Sequence, residues 1–307
     1  MFPQYAHELL EICEREGCHL GEVAIRHEME ESGVSREEVL KDLRDAIKVM
    51  KVAATEGKRR LVFSLSGLIG GDSTKISAYS KTGQSISGDV MTNAMAYAMS
   101  SSEVNAAMGR IVAAPTAGAC GIIPAVLKTF TDQRQTPDEK LVEALSVAGS
   151  MGIIIGQNAT ISGAEGGCQA ETGSAAAMAA GAAVYLMGGT PQMSLDAGAI
   201  VLMNMLGIVC DPVAGLVEIP CLYRNAQGAV NALTIADMVM AGVKSKIPFD
   251  EAVIAMYDVG RSMKEELRET GIGGIAGTPT GQRLKEKVFG DVEITEVHKD
   301  HKQPREE

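Results

Sequence analysis

The chain has no tryptophan, its aromatic residues amount to 4%, and no basic run is longer than Lys58-Arg59-Arg60. Phosphate backbones are held by clustered Lys and Arg, so this scarcity, beside a formal net charge of −11, excludes a nucleic-acid partner. The N-terminus, Met1-Phe-Pro-Gln-Tyr-Ala-His-Glu8, has no basic flank ahead of an apolar run and is not a secretory signal. The apolar stretch from Ala175 to Leu186 is dominated by Ala and Gly and falls short of the roughly 20 apolar residues a membrane span needs; it reads as a buried helix. No membrane association and a cytoplasmic location are expected. Few segments alternate in polarity as strands do, which leaves a mainly α fold.

What is present is 307 residues with 46% apolar content, 34 Gly without a three-residue period, and 17 Met. Small apolar side chains suit helices that pack closely, and Met fills irregular gaps between them. Residues 1–60 form a charged helical region. In it Ser35-Arg-Glu-Glu38 is a capping box, and Val39, Leu43, Ile47 and Met50 follow at helical spacing. Residues 61–290 carry the glycine-rich loops and are expected to be the catalytic domain. Helices are expected near 88–100, 103–110, 122–131, 138–156, 171–187, 191–207, 222–244 and 249–268, with Pro191 at a first helical position behind Thr190. Residues 291–307 are mostly charged with little to bury, a tail expected to be disordered.

Six cysteines with no export signal point to reduced thiols or a metal site rather than a disulfide framework. Three lie in turn-forming stretches: Cys168 in Gly163-Ala-Glu-Gly-Gly-Cys168, Cys210 in Cys210-Asp-Pro-Val-Ala-Gly215, and Cys221 in Glu218-Ile-Pro-Cys221. Three thiolates suffice to hold an iron-sulfur cluster with one iron left open. Their spacing matches neither the paired Cys-x-x-Cys of zinc ribbons nor the ferredoxin run, so inert buried thiols remain an alternative. The nearby Gly and Pro allow bends that free N–H groups for cluster sulfides.

The strings Ala114-Pro-Thr-Ala-Gly-Ala-Cys-Gly121, Ser162-Gly-Ala-Glu-Gly-Gly-Cys168-Gln-Ala-Glu171, and Cys210-Asp-Pro-Val-Ala-Gly215 with Ile219-Pro-Cys221 and Arg224-Asn225 closely resemble the α chain of iron-sulfur L-serine dehydratases, across residues 61 to 277. The resemblance implies an ammonia-lyase of amino-acid catabolism and gluconeogenesis that converts L-serine to pyruvate and ammonia. It implies a [4Fe-4S] cluster on Cys168, Cys210 and Cys221, whose open iron assists departure of the serine hydroxyl. It also implies a separate β subunit; assembly into a homo-oligomer is compatible with it. Cys120 is expected as a neighbour of the site, and Cys13 and Cys18 as unligated thiols. The family often has Asn where this chain has Ala117.

Carboxylate binding needs oriented donors, and Ser66, Gly67, Thr116, Gly118, Ser162 and Gly163 are candidates, with plain turn formation as the competing reading. Lys75, beside the loop Ser66-Gly-Leu-Ile-Gly-Gly-Asp72, is a candidate base against a solvated surface lysine. Glu165 and Glu171 flank Cys168, where either can pair with the substrate ammonium or form a cap or salt bridge. Alternatives for the whole chain are a related [4Fe-4S] lyase acting on L-cysteine or L-threonine, or a cluster-binding subunit inactive without its β chain.

Overall fold

The computed structural model describes residues 1–290, and the tail expected at 291–307 lies outside the described residues. Among them are thirteen α-helices and no strand, so the fold is mainly α. The helices are α1 (Ala6–Glu16), α2 (Leu20–Ser32), α3 (Arg36–Arg59), α4 (Asp72–Ser80), α5 (Gly88–Ala106), α6 (Ile122–Arg134) and α7 (Asp138–Asn158). They continue as α8 (Gly163–Gly166), α9 (Ser174–Leu186), α10 (Pro191–Met205), α11 (Cys221–Met240), α12 (Phe249–Ser262) and α13 (Pro279–Phe289).

Local signals set several boundaries. At α3 the Ser35 hydroxyl accepts from the Glu38 N–H while the Glu38 carboxylate accepts from the Ser35 N–H at 2.8 Å, satisfying two donors that a helix start leaves unpaired. At α10 the Thr190 hydroxyl accepts from the Met193 N–H, with Pro191 in the first turn.

Three boundaries differ from expectation. Helix α5 runs unbroken through Ser100-Ser101-Ser102, where two helices were expected. Ser101 and Ser102 donate to the carbonyls of Tyr97 and Ala98 one turn back, and Ser100 donates to Ala53 O on α3 at 2.6 Å; hydroxyls satisfied in this way need not compete for the helix backbone. Helix α12 stops at Ser262 because Met263 turns extended, freeing the following residues to pair with Cys210. Helix α13 was not expected, since Gly281 is its single buried residue and an apolar period is therefore faint.

Helix α9 is the centre of the fold. Every residue from Ser174 to Val184 is buried, with α6, α7, α10 and α11 packed around it. Side chains that are mostly Ala and Gly, with Met178 the one long exception in that stretch, let those neighbours approach, as interior packing density requires. Phe2, Leu9, Leu20 and Ile47 from α1–α3 and the chain before them share one apolar cluster with Ile122, Met151 and Leu202. Helix α7 is long and apolar enough to cross a membrane, and its Leu141, Met151, Ile154 and Ile155 lie fully inside this cluster.

Gly21, on α2 where it meets α7, and Gly149, within α7, test how tight the packing is. A Cβ at Gly21 would lie 2.6 Å from the Val147 backbone nitrogen, whereas one at Gly149 meets nothing within 4 Å. Gly21→Ala is expected to lose about 1–3 kcal/mol through forced helix separation, outweighing a propensity gain of about 1 kcal/mol. Gly149→Ala should instead gain up to about 1 kcal/mol. Urea unfolding midpoints of the two variants check this, and equal midpoints would contradict it.

Candidate metal and substrate site

The chain brings Cys168, Cys210 and Cys221 from three distant stretches into one buried region, with 2%, 3% and 7% of their surface exposed. Cys168 follows Gly167, whose φ of +75° places the backbone against Ile208 O, and leads through a π-helical turn, Gln169–Gly173, into α9. Its sulfur lies 3.2 Å from the Thr172 hydroxyl. Cys210 sits in the connection after α10, where its N–H donates to Leu267 O at 2.8 Å and its carbonyl accepts from the Glu269 N–H at 2.7 Å. Cys221 opens α11 directly after Pro220. Burial pushes the Cys210 thiol up, and the charges of Cys168, Glu171, Glu269 and Cys221 push it further. Burial likewise raises Cys221, with Cys168 adding to it. Cys168 is raised by burial against an opposing pull from the Arg224 guanidinium.

One turn beyond Cys221, Arg224 and Asn225 tie these segments together. Arg224 donates to Val209 O and to Asp211 Oδ1, both at 2.8 Å, and Asp211 Oδ2 accepts from the Ile275 N–H at 2.7 Å. The pair is deeply buried, and its fixed planar fork holds the connection that carries Cys210. Asn225 Nδ2 donates to Gly118 O at 2.7 Å and to Cys221 O at 2.9 Å, while its Oδ1 accepts from the Gly121 N–H at 2.8 Å. The loop Pro115–Cys120 is thereby fastened to the start of α11. Cys120 beside it is buried, with its thiol pushed up to about 12 by burial.

Glu171, on the π-helical turn, is the acidic group of this region. Cys210 Sγ lies 4.0 Å from Glu171 Oε2. Glu171, Cys210 and Glu269 each offer a ligand atom, and these three atoms lie within 4.8 Å of one another, a candidate metal-binding group. Burial pushes the Glu171 carboxyl up, Thr116 pulls it down, and the Glu269 charge adds to the rise. A Cβ on Gly118 would sit 3.2 Å from both Glu171 carboxylate oxygens, and one on Gly163 would lie 2.8 Å from Glu171 Oε2 and 2.9 Å from Cys210 Sγ. These two glycines are therefore small because the carboxylate and sulfur need their space. The buried Thr116 Oγ1 is the hydroxyl that stands beside this carboxylate.

The remaining sequence candidates fall elsewhere. Ser162 stands at the N-cap position of α8 without a side-chain cap bond. The Ser66 hydroxyl donates to Glu218 Oε2 at 2.6 Å, and Gly67, at φ +73°, faces open space. Ser66 lines a cleft with Asn105, Ala117 and Glu218, where Asn105 Nδ2 reaches Ala117 O. Lys75 is 74% exposed and paired with Asp72 at 2.8 Å; none of its polar contacts among the described residues is with a cysteine or with Glu171. Glu165 accepts from the Thr160 hydroxyl at 2.6 Å. Sequence reasoning missed Glu269, which no local motif marks. Asn225 and Arg224 had a usable signal in their spacing of one helical turn from Cys221.

The glycine-rich loop 66–71 owes its position to Glu103, which is completely buried on α5. Glu103 Oε1 accepts from the N–H groups of Asp72 at 2.6 Å and Ser73 at 3.1 Å, capping α4 from outside, while Oε2 has no partner. Burial pushes this carboxyl up from 4.5 to about 7, against the two backbone N–H groups that pull it down. Between those values the folded protein keeps a proton that the unfolded chain has released, so stability should fall as pH rises through that window. Urea unfolding of the wild type and Glu103→Gln at pH 5 and pH 8 tests this. The wild type is expected to lose more stability than the variant between the two, and parallel losses would refute the assignment.

The family described as serine dehydratase alpha chain matches residues 15–276. A Bacillus subtilis protein named probable L-serine dehydratase, alpha chain is 47% identical over 283 residues, covering 92% of this chain and 94% of that protein. The L-serine dehydratase alpha chain of Peptoniphilus asaccharolyticus is 45% identical over 280 residues, covering 91% of this chain and 96% of its own. An L-serine dehydratase of Streptomyces coelicolor is 38% identical over 277 residues, which are 88% of this chain but 59% of that longer protein. With a family match over most of its length and relatives aligned nearly end to end, the chain belongs to the serine dehydratase alpha chain family.

Proposed function

We propose that this chain is the α subunit of an iron-sulfur L-serine dehydratase, a cytoplasmic ammonia-lyase that deaminates L-serine to pyruvate and ammonia together with a separate β subunit. The observation that carries this reading is the burial of three thiols from distant segments in one region, where the Cys168 charge raises the cost of ionising Cys210 and Cys221. Such an arrangement is unfavourable for free thiolates and is relieved by a shared metal charge. The donor set fits a [4Fe-4S] cluster on Cys168, Cys210 and Cys221: the sulfurs are the only side-chain donors those three residues bring, and Arg224 offsets their negative charge. When bound, such a cluster with one iron free of protein sulfur supplies a Lewis acid for the serine hydroxyl, a poor leaving group.

The residues of the chain do the rest. Asn225 and Arg224 fix the spacing of the three segments. Thr116, Gly118 and Gly163 border the space beside Glu171 and Cys210 and, with Ser162 at the adjoining N-cap of α8, are assigned to binding the substrate. Ser66 and Gly67 border the neighbouring cleft and are assigned to its polar edge. Burial of the region excludes water, which strengthens each of these polar contacts. The β subunit is assigned the role that the additional length of the Streptomyces relative would serve.

Two measurements test the reading. Iron and sulfide analysis of oxygen-free protein should show a full cluster in the wild type, with most of it lost in Cys168→Ala, Cys210→Ala and Cys221→Ala; retention of full occupancy in all three would overturn the ligand set. Assays of pyruvate, 2-oxobutyrate and sulfide, with and without the β chain, should give pyruvate from L-serine at least about tenfold ahead of the others, a gap of about 1.4 kcal/mol. Faster sulfide or 2-oxobutyrate release would reassign the substrate to L-cysteine or L-threonine.

A further inference from the structure

Glu171 and Glu269 reach the same space from opposite sides of the Cys210 segment. Glu171 comes from the π-helical turn ahead of α9 and is 9% exposed. Glu269 comes from the stretch after α12, where its N–H donates to Cys210 O at 2.7 Å, and it is open to solvent. Neither carboxylate forms an ion pair with Lys, Arg or His, although sixteen such pairs occur elsewhere among the described residues. Arg224, a part-buried cation in this region, is taken up by Asp211 and Val209. Two carboxylates close together, one nearly enclosed and without a cation, are destabilising unless a positive charge comes between them.

We infer that Glu171 and Glu269 together form the subsite for the α-ammonium group of the amino-acid substrate. The ligand oxygens of Glu171 and Glu269 lie within 4.8 Å of one another, so a nitrogen can stand about 2.8 Å from both, the distance of an N⁺–H···O⁻ bond. An ammonium nitrogen with three donors fits there, accepted by both carboxylates. Gly163 and Gly118 leave the room for it, since a side chain at either would press on Glu171. The subsite adjoins Cys210 Sγ, so a small amino acid held there by its nitrogen keeps its β-carbon substituent beside the sulfurs. The division of labour is also legible: enclosed Glu171 gives the stronger bond, and exposed Glu269 lets the substrate enter.

The inference rests on the proposed dehydratase reading, and the test separates the two. Oxygen-free wild type, Glu269→Gln and Glu269→Asp, with the β chain present, are titrated calorimetrically with L-serine and with 3-hydroxypropanoate, which has the carboxylate and hydroxyl but no ammonium. Iron content and pyruvate release are measured on the same samples. One charge-assisted hydrogen bond is worth about 1.5–3 kcal/mol, so Glu269→Gln should weaken L-serine by about 10-fold to 100-fold while changing 3-hydroxypropanoate less than about twofold. Glu269→Asp should recover part of the loss. Equal weakening of both ligands, or no change in either, overturns the subsite. Loss of iron in Glu269→Gln assigns the carboxylate to the metal and also overturns it. A wild type that holds its iron but releases no pyruvate from L-serine overturns the dehydratase reading instead.

Discussion

Close packing around a helix of mostly small side chains is the constraint on which the rest of the molecule depends. Helix α9 presents Ala, Gly and Ser where other buried helices present Leu or Ile, so α6, α7, α10 and α11 all approach its axis. Its N-terminal end carries Cys168 and Glu171 on the preceding turn, and α11, packed alongside, carries Cys221 at its own first position. The positions of those residues therefore follow from how near the two helices can come. Gly228 of α11 shows how little slack there is, because a Cβ there would lie 2.6 Å from Ile122 on α6.

Polar groups then fix what packing brings near. The Cys210 connection has no helix to hold it, and its backbone pairs on both sides with the chain after α12. Ending α12 at Ser262 is thus part of the site's construction, since a helix continued to residue 268 would use those backbone groups internally. Arg224 closes the arrangement from beneath by spanning Val209 and Asp211. A buried ion pair of this kind adds little net stability, but here it sets the register between α11 and the Cys210 connection.

The acidic side of the region has the opposite character. Glu103 is enclosed and receives two backbone N–H bonds on one carboxyl oxygen, which holds the glycine-rich loop. Glu171 is nearly as enclosed and receives no backbone N–H bond, which accords with the ligand role we infer for it. The chain places the two on different helical segments, one anchoring the loop and the other facing the thiols.

Much of this was legible in the residues themselves. The apolar periods and caps marked α3, α6, α7 and α10 because helix ends and faces are local properties of a few neighbouring residues. The glycine-bearing motifs singled out Cys168, Cys210 and Cys221, and the resemblance they carry agrees with the family match. Sequence alone made Lys75 a candidate base and Thr116 a candidate carboxylate binder; the structure puts Lys75 on an exposed face with Asp72 and Thr116 beside Glu171. It could not announce Glu269, whose relation to Cys210 is a single backbone bridge between segments far apart in the chain. Helices, caps and turn chemistry were thus determined by short-range backbone physics, whereas the meeting of thiols and carboxylates was decided by tertiary packing, because only a closed core fixes distances between residues that the chain itself leaves far apart.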